Sequence, residues 1–66
     1  MNKEEFRKMW KKWLIDVGVS ETQLAHELGR AQQNLNRSIN NASIKYVELS
    51  EIIERYGYTV EIRKKD

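Results

Sequence analysis

The sequence predicts a mainly α-helical fold, a compact domain of four short helices followed by one C-terminal β-strand. Three observations predict it. The 66 residues hold no proline and only three glycines, so nothing breaks a helix from within. Apolar residues recur at steps of three and four, and Gly18, Gly29 and the polar run at 40–43 divide that pattern into four blocks. After Gly57 the period drops to about two, as in a strand.

The first helix is expected over 3–17. Asn2 can accept an early backbone N–H, and Glu5 sits where the helix dipole favours an acid. Phe6, Met9, Trp10, Trp13, Leu14 and Val17 make a continuous apolar stripe, and Gly18 ends it. Two tryptophans in so short a helix belong most simply to a core. Lys3, Arg7, Lys8, Lys11 and Lys12 lie off the stripe, a basic face able to touch a polyanion but more often merely solvated.

The second helix is expected over 21–28. Ser20 and Gln23 form a capping box, with Val19 and Leu24 as its hydrophobic staple. Leu24, Ala25 and Leu28 share one face, and Gly29 supplies the left-handed stop. A third helix over 32–39 turns Leu35 and Ile39 inward. Two short helices joined by a tight glycine turn are the signature of a helix-turn-helix. The outer face of the third helix carries Gln32, Gln33, Asn34, Asn36, Arg37 and Asn40 and no carboxylate. Amides are mediocre helix formers, and a merely solvated face would more often be Glu and Lys. They do suit base edges: Gln and Asn pair with adenine and Arg with guanine, each good pair contributing about 1–3 kcal/mol of discrimination.

The run Asn40, Asn41, Ala42, Ser43 is turn chemistry, since asparagine tolerates left-handed backbone. A fourth helix over 46–56 presents Val47, Leu49, Ile52, Ile53 and Tyr56 and is closed by Gly57. Over 58–64, Tyr58, Val60 and Ile62 alternate with Thr59, Glu61 and Arg63, which predicts a strand. A lone strand leaves its ladder groups unpaired. Its expected partner is the same strand of a second copy, antiparallel across a two-fold axis, which predicts a homodimer. A tail that is disordered or packed on the helices is the competing expectation.

Composition narrows the function. The net charge is only +2, with 33% charged and 39% hydrophobic residues, so the placement of charge matters more than its sum. Arg30, Arg37 and Lys45 fall in a stretch without acids, after which Glu48, Glu51 and Glu54 reverse the sign. That is the footprint expected of contact with phosphates. Thr22 and Gln23, beside the free N–H groups of the second helix, and Lys45 and Tyr46, at the start of the fourth, are candidate phosphate contacts. With no cysteine and His26 alone, expected at the surface, no metal site or cofactor is expected. An enzyme is disfavoured: no nucleophile has a histidine partner, and no glycine loop could cradle a phosphate. No stretch is long and apolar enough for a membrane span, and no signal-peptide pattern is seen, so a cytoplasmic location is expected. The rival to nucleic-acid binding is an antitoxin or protein-docking module on the same scaffold, since fold does not fix function.

Residues 20–57 resemble the Cro and phage-repressor helix-turn-helix regulators of bacteria and their phages, the XRE family. The resemblance is carried by SETQLAHELG, by QQNLNRSINN, and by a closing amphipathic helix that ends in glycine. It implies a lambda repressor-like domain that binds a pseudo-palindromic double-stranded DNA operator as a dimer and regulates transcription, as a repressor above all. By position it implies base reading by Gln32, Gln33, Asn36 and Arg37, and backbone contact by Thr22, Gln23, Asn34, Lys45 and Tyr46. The chain departs from the family pattern at Arg30 and Ser38, where apolar residues are common, and at Ala31, where Ser or Thr usually caps. These departures leave open which of Gln33 and Asn34 faces the bases.

Overall fold

Local rules at the helix ends set where each element starts and stops. The computed structural model describes residues 1–62 and residue 64, among which four helices follow in order: α1 (Lys3–Val17), α2 (Glu21–Leu28), α3 (Gln32–Asn40) and α4 (Tyr46–Glu54). Asn2 Oδ1 accepts the Glu5 N–H at 2.8 Å and Ser20 Oγ accepts the Gln23 N–H at 3.1 Å. Each such cap stabilises its helix by about 1 kcal/mol. Gly18 and Gly29 close α1 and α2 in left-handed backbone, at φ 73° and 67°. The Val19 and Arg30 N–H groups then bond back to Leu14 and Ala25, satisfying carbonyls of the last turns.

The polar and C-terminal connections differ in detail from the sequence pattern. After α3 the left-handed residue is Ala42, at φ 52°, while Asn41 stays right-handed at φ −89°. α4 stops at Glu54 rather than 56. There Tyr56 and Gly57 donate to Ile53 and Glu54, three residues back, tightening the chain into a turn. The strand expected over 58–64 is not formed: no strand occurs among the described residues, and Arg63 lies outside them. A single segment has no neighbour within the chain to build a ladder with. Its first residue is instead held by an aromatic contact, the Tyr58 ring meeting Trp13 edge-on at 5.9 Å.

The core is where the four apolar stripes converge. Trp10 from α1, Leu24 and Ala25 from α2, Leu35 and Ile39 from α3 and Ile52 from α4 are buried together, with Phe6, Trp13, Leu14, Val19, Leu28, Ile44, Leu49 and Tyr56 packed around them. α3 packs against both α2 and α1. Trp10 and Trp13 stack at 5.5 Å, and Trp13 also meets Tyr56 edge-on at 5.7 Å. Val47 does not join this core and is 66% exposed. It stands about 140° round α4 from Ile52, and Ile44, just before the helix, packs against the core instead. No helix among the described residues is long and apolar enough to cross a membrane.

Candidate nucleic-acid interface

The rotation of α3 is fixed by its two buried residues. Leu35 and Ile39, one turn apart, are sealed against the core. With about 3.6 residues per turn, Gln33 and Arg37 therefore project roughly opposite the core, again one turn apart. Asn34 and Asn40 flank that line, and all four are exposed. Gln32, in the first turn, is exposed as well. Between Gln33 and Asn34, it is Gln33 that shares the outermost line with Arg37. Ser38 turns its hydroxyl back onto the Leu35 carbonyl at 2.9 Å, so a polar residue where an apolar one is usual leaves no unmet hydrogen bond.

Asn36 is placed differently from its neighbours. Its Nδ2 donates to Glu21 Oε1 at 2.9 Å, and its Oδ1 accepts from Asn40 Nδ2 at 2.9 Å. The other oxygen of Glu21, Oε2, accepts from Trp10 Nε1 at 3.1 Å. One carboxylate at the start of α2 thus joins the buried tryptophan of α1 to the amide row of α3. No sequence pattern pointed to Glu21, because its partners lie 11 and 15 residues away. Arg7 adds a further tie, donating to the Asn40 carbonyl at 3.4 Å and bringing a cation of α1 to the end of α3.

The phosphate candidates fall into two groups. Thr22 and Gln23 lie exposed in the first turn of α2, next to the Glu21 that bonds α3. Lys45 and Tyr46 open α4 and are exposed, Tyr46 at 54%, with no side-chain hydrogen bond or ion pair to α3 among the described residues. The basic stretch is also less free than its sequence suggested. Arg30, in the turn between α2 and α3, pairs with Glu48 of α4, so it struts two elements together. Arg37 and Lys45 have no acidic partner among the described residues. His26 is exposed, and no group of three potential metal ligands occurs among the described residues.

A second surface is apolar. A groove of about 470 Å³ runs between α1, α4 and residues 58–61, bordered by Phe6, Met9, Trp13, Leu49, Ile53 and Tyr58 among others. Comparison with family models, with curated proteins and with solved structures returns no match to this chain.

Proposed function

We propose that the chain is a small regulator of transcription, a repressor, that binds double-stranded DNA sequence-specifically through a helix-turn-helix formed by α2 and α3. The observation that carries the reading is the outer face of α3: amides and one arginine, free of carboxylates, on a helix whose rotation is locked by Leu35 and Ile39. Such a face, laid in a major groove, offers the bidentate partners of adenine and guanine. Gln32, Gln33 and Arg37 are the proposed base-edge residues; Asn36, the fourth candidate by position, is bonded to Glu21 and Asn40 instead. Thr22, Gln23, Asn34, Lys45 and Tyr46 are the proposed backbone contacts. The resemblance of residues 20–57 to Cro and phage repressors points the same way. We further propose a homodimer, paired through the segment that carries Tyr58, Val60 and Ile62, on a pseudo-palindromic operator in the cytoplasm.

The experiment is selection of binding sites from a random duplex library near physiological salt, where non-specific affinity is only about 10⁻⁴–10⁻⁶ M. The expected result is an inverted repeat whose half-sites lie about one helical turn, roughly 34 Å, apart. Recovery of no preferred sequence would overturn the reading and favour a protein-docking or antitoxin role for the same scaffold.

A further inference from the structure

We infer that Asn36 positions the reading helix rather than reading a base, and that Glu21 is the residue through which it does so. The inference rests on the DNA-binding reading proposed above. To pair with an adenine edge, an asparagine must present both its carbonyl oxygen and its amide nitrogen to the base. Here each already holds a partner within the protein, one of the two amide hydrogens and one of the two oxygen lone pairs, and those bonds turn the amide towards α2 and Asn40. Both oxygens of Glu21 act as acceptors, so the amide end of Asn36 faces it. The carbonyl end then faces Asn40, whose amide donates to it. Because Glu21 also accepts from the buried Trp10, the chain of bonds runs from the core of α1, through the first residue of α2, and along one turn of α3.

The geometry has a consequence for specificity. The bonded amides Asn36 and Asn40 lie on the flank of α3 that faces α1 and α2, and Arg7 closes on the Asn40 carbonyl from the same side. Gln33 and Arg37, with no partner among the described residues, keep their hydrogen-bonding groups available. They are the specificity-determining pair, an adenine and a guanine reader one helical turn apart, held in register by Asn36 and Glu21 as positioning residues.

A polarity swap tests this. Asn36→Asp sets two carboxylates against each other. Glu21→Gln combined with Asn36→Asp restores every bond: the new amide accepts from Trp10 and donates to the new carboxylate, which still accepts from Asn40. Binding-site selection and affinities for single-base-pair variants of the selected site are measured for the full chain, for Asn36→Asp, for the swapped double variant and for Gln33→Ala, with thermal unfolding of each. Asn36→Asp is expected to weaken binding about tenfold on every site without changing the preferred bases. The swap is expected to recover most of that loss with the original preference, while Gln33→Ala relaxes preference at one position only. Asn36→Ala, which removes the bonds without adding charge, is expected to behave as a milder Asn36→Asp.

A changed base preference in Asn36→Asp, Asn36→Ala or the swap would make Asn36 a base reader and overturn the proposal alone. Failure of the swap to recover affinity would overturn it also. Recovery of no preferred sequence by the unaltered chain would overturn the DNA-binding reading, and this inference with it.

Discussion

Tyr56 shows how much a single side chain can do in so small a protein. Its hydroxyl donates to the Glu27 carboxylate, fastening the turn after α4 to α2. That hydrogen bond, followed by burial and by the charge of Glu27, raises the phenol's pKa above its ordinary 10.0. The fold thus favours the neutral phenol. Its contribution to stability is complete below pH 10 and is lost as pH rises through the raised value. Tyr56→Phe should lower the thermal midpoint at pH 7 by the loss of about 1 kcal/mol, and should flatten the fall in stability above pH 10. An unchanged alkaline limb in the variant would show that the bond carries no such linkage. The two arginines near α3 are expected to separate cleanly. Arg37→Ala should cost about 1–3 kcal/mol of binding at one base pair and leave thermal stability unchanged. Arg30→Ala removes the strut to Glu48 and should lower stability by about 1 kcal/mol or less, with no change in sequence preference. A specificity change from Arg30→Ala would reverse these assignments. Contacts between sequence neighbours, such as Asn2 with Glu5, were legible because a helix start dictates them. The Trp10–Glu21–Asn36 bonds were not, since only the packing of three helices brings those residues together.

The first two helices were legible to the residue, because their boundaries have local causes: the oxygen-bearing caps Asn2 and Ser20 and the left-handed Gly18 and Gly29. Where the cause was non-local the pattern misled. Val47 matched an apolar face by composition but lies on the wrong side of α4, and Ile44 packs against the core from outside any helix. The starts of α3 and α4 lack a side-chain cap; at α3, Ala31 stands in extended backbone and offers no side-chain acceptor. Its backbone, at φ −67° and ψ 133°, already has the geometry a capping residue adopts. Ala31→Ser should therefore add about 0.5–2 kcal/mol of stability, read as a higher thermal midpoint. Gly29 sets the other side of the same turn. A Cβ there meets no atom within 4 Å, so Gly29→Ala should cost only the left-handed backbone penalty of about 1–2 kcal/mol. A much larger loss would mean that the turn also carries tertiary contacts absent from this structure.

At the scale of the whole molecule, the apolar surface between α1, α4 and residues 58–61 bears on assembly. Among the described residues six buried side chains make the core of this 7.9 kDa chain, a small reserve for a domain with no cysteine to form a disulfide. Met9 and Tyr58, each 43% exposed, border the apolar groove, and Ile62, just beyond it, is 89% exposed. Residues 58–62 keep the alternation of a strand in sequence without forming one, and residues 58–61 line the groove beside α1 and α4. Pairing two such segments antiparallel would satisfy ladder groups and cover apolar side chains on both copies at once. If dimerisation contributes to folding, mass action makes stability depend on concentration. The thermal midpoint should then rise with protein concentration over the micromolar range, and sedimentation should give the mass of two chains. Ile62→Lys places a charge on the pairing face, so it should return the mass to a single chain and abolish the concentration dependence. It should also weaken binding to an inverted repeat far more than to an isolated half-site, because only the two-fold symmetric contact is lost. A single-chain mass and a concentration-independent midpoint for the unaltered protein would remove the strand-paired dimer, and with it the expected spacing of the half-sites.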